Sequence, residues 1–263
     1  MKILRYLQFA FIAIIALHTA TSCSNAALMA GGQGLLQAAT LTDAQIQEYV
    51  AEYVAYSDSQ NKVLPENNAY TQRLKRITKG ITQVNGIPLN FKVYQTSDVN
   101  AFACADGSVR VYTGLLDLMS DDEVLGVIGH EIGHVGLKHS KKQFQQSIIN
   151  SAILQGLASS GGTIGALSSS QLGSLANTLA TSSFSRKQES ESDSFGYEFL
   201  VKNGKNPWAM AMAFEKLQSL ESKSNTSNAV NNLFSSHPDV ANRIKTMSER
   251  ATKDGYKRPT SSK

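Results

Sequence analysis

The chain has 263 residues, 17% of them charged and 41% hydrophobic, with a formal net charge of +4. That balance belongs to a globular domain with a sizeable core and excludes a disordered or collagen-like chain. Loss of Lys2 and Arg5 with a leader leaves 23 basic against 21 acidic residues, a net charge of +2, which excludes a nucleic-acid footprint.

Residues 1–22 read as a secretory signal, with Lys2 and Arg5 at its start and an apolar run from Leu7 to Leu17 too short to span a bilayer. Ala20, Thr21 and Ser22 before Cys23 resemble a bacterial lipoprotein processing site, although Ala20 stands where such sites usually carry Leu. The resemblance implies that Cys23 is acylated and anchors the protein to a membrane. Ser24 after it implies sorting to the outer membrane, facing the periplasm. The alternative is ordinary cleavage, a free Cys23 and a soluble periplasmic protein. Cys104 is the only other cysteine, so acylation of Cys23 leaves no intramolecular disulfide. Cys104 then reads as a small buried hydrophobe or as one half of an intermolecular bridge.

Residues 23–40 are small and Gly-rich and read as a flexible tether. The domain is expected over 41–250, followed by a disordered basic tail over 251–263. Thr42 caps a helix to about Ser57, with Ile46, Tyr49, Val50 and Tyr53 on one stripe. A second helix is expected over 67–83, then a turn at Asn85-Gly86. Leu89, Phe91 and Val93 alternate with polar neighbours as a strand, Asp98–Cys104 is extended, and Asp106-Gly107 turns into a third strand over 108–113. Residues 143–185 carry no charged side chain. They read as a buried or partly exposed helical hairpin, or else as a mobile cover near the active site or a membrane-facing surface. Helices follow over about 186–203 and 207–221, and His237-Pro238 opens the last one.

The stretch from Glu123 to His134 carries the chemistry. Ser120 suits an N-cap, and Asp121, Asp122 and Glu123 suit the positive end of the helix that follows. His130 and His134 are four residues apart, about 40° around the cylinder and one turn along it, so both imidazoles can reach one tetrahedral Zn2+. Glu131 stands beside them, completing the His-Glu-x-x-His pattern of zinc metalloproteases. An ordinary surface helix would not need Gly126, Gly129 and Gly133, each costing about 1 kcal/mol against Ala. They imply close approach of a backbone, a ligand or a metal shell.

Catalytic zinc takes three protein ligands and an open position. His139 lies about 140° round from His134 on a continued helix and reads as a surface residue. Glu189 and Asp193 share a face of the later helix, and one of them can be the third ligand while the other orients an imidazole. Together with Glu191 and Glu198 they would equally make a solvated acidic face, and spacing does not choose between Glu189 and Asp193.

Asp98–Ala103, His130–His134, Ser185–Glu189 with Asp193, and His237-Pro238 with Arg243 resemble, in this order, the HtpX-like and CAAX-prenyl-protease-like gluzincin metallopeptidases. The resemblance implies an α+β, mainly helical zincin-like domain with a small three-stranded sheet just before the active-site helix. It implies one Zn2+ held by His130, His134 and Glu189, with Asp193 behind the ligands; Ser192 stands where the family commonly has Ala. Asn100, Ala101 and Phe102 would lie at the cleft edge and bind substrate, Asn100 holding its backbone unless it merely ends a turn. His237 would approach the zinc and restrain activity, or else cap the final helix. Arg186 would pair with Asp193 or stabilise the oxyanion. The expected function is a zinc endopeptidase with Glu131 as general base, acting on misfolded or misassembled polypeptides of the envelope. A chaperone of the outer membrane that binds extended chains and rarely cuts is the alternative, against which the intact Glu131 argues. A structural zinc site would leave Glu131 unexplained.

Overall fold

The computed structural model describes residues 41–150, 167–221 and 236–260. The leader, Cys23 and the tether lie outside the described residues. Helix α1 (Asp43–Gln60) begins at Thr42, whose hydroxyl accepts from Gln45 N while the Gln45 side chain accepts from Thr42 N. Helix α2 (Ala69–Ile77) is shorter than its apolar spacing predicts. Gly80, at φ +83°, turns the chain out of the helix, and residues up to 88 form a small hairpin instead. Its strands β1 (Gln83–Val84) and β2 (Ile87–Pro88) flank Asn85-Gly86, both at positive φ, as a tight two-residue turn requires.

The main sheet holds β3 (Asn90–Tyr94), β4 (Ala101–Ala103) and β5 (Ser108–Tyr112) in the order β3-β5-β4. β3 runs parallel to β5, and β4 runs antiparallel to it across the Asp106-Gly107 turn. β5 is therefore central and almost wholly buried, while β4 lies on an edge. Arg110 of β5 is buried and donates to Asp58 at 2.8 and 3.1 Å, tying α1 to the sheet.

A short helix α3 (Thr113–Leu118) leads into α4 (Asp121–Gly136), where Ser120 and Glu123 form a reciprocal cap. Helix α5 (His139–Asn150) runs into the uncharged stretch and α6 (Ser169–Thr181) lies within it, and α7 (Arg186–Lys202) follows, opened by Ser185 and Gln188 in the same capping pattern. Helices α8 (Trp208–Glu221) and α9 (Val240–Lys253) complete the described chain. α9 starts two residues later than Pro238 predicts, with Asp239 at its N-cap in the left-handed region (φ +67°).

Two apolar clusters form. The larger packs α4 through Val124, Ile128 and Ile132 against β5, α7 and α8. The smaller joins Ile46, Tyr49 and Val50 of α1 to Phe144 and Ile148 of α5 and Leu175 of α6. The apolar side chains of α5 and α6 are thus explained by burial against α1. Cys104 belongs to this second cluster as a buried free thiol.

The expected disordered tail is corrected. Residues 251–253 finish α9, and the chain beyond them docks on α8. Trp208 Nε1 donates to Tyr256 O at 3.0 Å, Asn206 Nδ2 to Lys257 O at 2.8 Å, and Arg258 pairs with Glu215 while its guanidinium lies over the Trp208 ring. The basic composition signalled solvation, but these side chains have partners far away in sequence.

Candidate metal centre

The glycines of α4 decide how closely α7 crosses it. A Cβ on Gly129 would stand 3.2 Å from Gly196 Cα, and one on Gly196 would stand 3.0 Å from the His130 backbone nitrogen. The two helices meet backbone to backbone there. That approach carries the first two turns of α7, with Glu189 and Asp193, over His130 and His134.

The result is a buried set of four donors: His130, His134, Glu189 and His237. His130 Nε2 lies 3.1 Å from His134 Nε2 and 3.6 Å from Glu189 Oε2, and His134 Nε2 lies 3.4 Å from Glu189 Oε1. His237 Nδ1 is 3.2 Å from His130 Nε2 and 3.0 Å from Glu189 Oε1. Donors around a tetrahedral ion at about 2.0–2.1 Å stand roughly 3.3 Å apart, so these spacings fit Zn2+. Glu189 Oε2 is buried without a hydrogen bond; Arg243 Nη1 comes within 2.8 Å but is not aligned to donate. In this cluster three buried carboxylates, Glu131, Glu189 and Asp193, face one buried guanidinium, Arg243. Fully ionised, they leave two negative charges for a dication.

Two of the donors, His130 and His134, are braced from behind. His130 Nδ1 lies 2.9 Å from Asp193 Oδ1. Arg243 donates to Asp193 at 2.8 and 2.7 Å and packs its guanidinium 4.2 Å from the Phe214 ring centre. Phe184 stacks on His134 with ring centres 3.7 Å apart. Burial raises the pKa of Glu131, and the nearby His237 and Arg243 do not cancel that effect. Burial pushes His134 well below the usual imidazole range. Burial alone would raise Asp193, but Arg243 outweighs it and holds the carboxyl low; His237 and His134 do the same for Glu189.

A cavity of about 180 Å3 opens beside Glu131 and His237. Asn100, Ala101 and Phe102 line it together with Phe144 of α5 and Leu179 of α6, so both of these helices border the cleft. Asn100 O accepts from Tyr112 N and Cys104 N donates to Ser108 O, so these residues turn their backbone groups toward β5. Ala101 and Ala103 then face the free edge, where the Ser140 hydroxyl already donates to Ala103 O at 3.1 Å.

The matched profile of peptidase family M48 covers residues 68–251. The chain belongs to this family. Over 241 residues it is 41% identical to metalloprotease LoiP of Escherichia coli K12, covering 90% of this chain and 94% of that protein. It is 39% identical to metalloprotease YcaL of the same organism over 84% of this chain and 86% of the relative. It is 31% identical to the Escherichia coli K12 β-barrel assembly-enhancing protease over 49% of this chain but only 28% of that longer protein. As an M48 member the chain is a zinc metallopeptidase that acts on polypeptides, in the α+β, mainly helical fold its sequence implied.

Two sequence expectations fail within this M48 site. Arg186 is 86% exposed and its nearest acid is Asp239, at 3.8 Å. Its expected place beside Asp193 belongs to Arg243, which reaches in from α9, a helix that no spacing rule connects to α7. His139 is not a surface residue; it is 4% exposed, with Nδ1 3.2 Å from His134 Nδ1. Lys138, at φ +63°, breaks the helix and swings His139 back behind His134. Phe184 gave no sequence signal, because its role depends on stacking across elements. His237 does not cap α9 but sits among the donors.

Proposed function

We propose that His130, His134 and Glu189 hold the zinc and that Glu131 is the general base of an endopeptidase acting on misfolded or misassembled envelope polypeptides. The observation that carries this reading is the buried donor set at tetrahedral spacing, with Glu131 between it and a cleft bounded by a free strand edge. When bound, the ion supplies Lewis acidity that brings the pKa of water toward about 7 and polarises a carbonyl. Glu131 takes the water's proton and returns it to the leaving amine; its burial-raised pKa suits both transfers. Extended substrate pairs with the outward backbone groups of Ala101 and with the Ala103 N–H, beside Asn100 and Phe102, so recognition rests largely on main chain. Asp193 and Arg243 keep His130 in its ligating orientation.

His237 occupies the fourth corner of the donor set. Catalysis needs that corner open, so His237 restrains the enzyme until it withdraws. The same closed arrangement favours the second reading, a chaperone that binds extended chains and rarely cleaves them. The envelope assignment is supported by the leader, by Cys23 as an acylated outer-membrane anchor, and by a relative named for β-barrel assembly. Among the described residues no helix is long and apolar enough to cross a membrane.

The test is zinc content and casein cleavage with and without a chelator. One zinc per chain and chelator-sensitive cleavage are expected, with both lost in His134→Ala. Full zinc in His134→Ala refutes the ligand set, and aggregation suppression without any cleavage decides for the chaperone. An unchanged band on gels after acylation is blocked refutes the Cys23 anchor.

A further inference from the structure

His134 turns Nε2 toward the donor set and Nδ1 away from it. On that far side Nδ1 lies 3.2 Å from Nδ1 of His139, and Nε2 of His139 lies 3.1 Å from Glu191 Oε2. Ser192 Oγ stands 3.4 Å from the same His139 Nδ1. A neutral imidazole that ligates through Nε2 carries its proton on Nδ1. That proton is donated to His139 Nδ1, which must then be bare. His139 therefore carries its own proton on Nε2 and donates it to the Glu191 carboxylate. The three side chains form one directed series, from acid to imidazole to ligating imidazole. His130 needs no such intermediary, because Asp193 reaches its Nδ1 directly at 2.9 Å.

We propose that His139 and Glu191 are positioning residues of the hydrolytic site, a histidine-carboxylate relay that fixes the tautomer and ring orientation of His134. The proposal rests on the reading of His134 as a metal ligand. Packing alone does not account for His139, since both of its ring nitrogens have polar partners inside a nearly closed space. With Phe184 stacked on its face and His139 at its edge, the His134 ring has its tilt and its rotation held separately. Glu191 reaches the relay from the face of α7 opposite Glu189 and is 42% exposed, which makes it a mild place to test.

The experiment measures zinc affinity by chelator competition, together with kcat and KM, in wild type, His139→Leu, His139→Gln and Glu191→Ala. Outer partners of a ligating imidazole support metal affinity by about 10- to 100-fold. His139→Leu should lose affinity on that scale, and Glu191→Ala should lose about 10-fold, with kcat falling and KM little changed. Gln can accept from His134 and donate to Glu191, so His139→Gln should recover to within about threefold of wild type. Equal affinity in His139→Leu and wild type, or no advantage of Gln over Leu, overturns the relay. If His139→Leu does not fold, unchanged affinity in the half-exposed Glu191→Ala overturns it alone. His134→Ala, run alongside, separates the two ideas: zinc retained there sinks the ligand reading, not merely the relay.

Discussion

Gly196→Ala tests the link between helix packing and chemistry. The added Cβ would stand 3.0 Å from the His130 backbone nitrogen. Ordinary contact between such atoms begins near 3.5 Å, so α4 and α7 must part by about 0.5 Å. Metal ligands tolerate about 0.2 Å, and Glu189 rides on the helix that moves. Two energy terms oppose each other. Helix propensity favours Ala by about 1 kcal/mol, whereas overpacking a close contact costs about 1–3 kcal/mol. The expected net loss is up to about 2 kcal/mol, or a fall of up to about 8 °C in the melting temperature of the zinc-free protein. Zinc affinity should fall about 10-fold or more, the scale of a ligand left poorly held. Gly173→Ala on α6 is the control, because its Cβ would meet only Tyr56 Oη at 3.4 Å, an ordinary distance; it should stabilise by about 0.5–1 kcal/mol. Calorimetry and chelator competition on both variants give the answer. A Gly196→Ala protein that melts at or above wild type and holds zinc as tightly would show that this contact does not set the ligand spacing.

Glu131→Gln should keep zinc while cleavage drops by about 100-fold or more, as loss of a general base implies; retained turnover would remove Glu131 from the mechanism. Arg243→Leu leaves Asp193 a buried carboxylate without its guanidinium partner, held by His130 alone, and should cost about 3–5 kcal/mol by urea unfolding; a loss under about 1 kcal/mol would contradict that pairing. His237→Ala should raise kcat on casein while zinc stays bound through three ligands; lower kcat with weaker zinc would make His237 a necessary ligand instead. Asp58 answers to pH. Burial raises its pKa, but Arg110, Lys92 and Tyr94 outweigh that and bring it down to about 2. A depressed carboxyl stabilises the fold fully above its unfolded value near 3.9 and loses that contribution as pH falls toward 2. Allowing for partial solvent screening, Asp58→Asn should cost about 1–2 kcal/mol at pH 7 and flatten the stability loss between pH 4 and 2; an unchanged acid profile would refute the role.

Local chemistry made the zinc-binding helix legible. The caps at Thr42, Ser120 and Ser185, the turns at Asn85-Gly86 and Asp106-Gly107, and the spacing of His130 and His134 all depend on neighbours within a few residues. The α2 boundary failed because Gly80 overrode a continuing apolar pattern. The tail failed because its partners, Trp208 and Glu215, lie on another helix.

From residue order alone came the His-Glu-x-x-His motif and the family likeness, since helical geometry fixes where side chains four apart must point. Spacing left Glu189 and Asp193 as equal candidates. The family likeness favoured Glu189 and brought His237 near, but only the assembled chain decided that Arg243 rather than Arg186 holds Asp193 and that His139 lies inside. Those outcomes depend on contacts between elements far apart in sequence: α9 reaching over α7, and the Lys138 break turning His139 back behind His134.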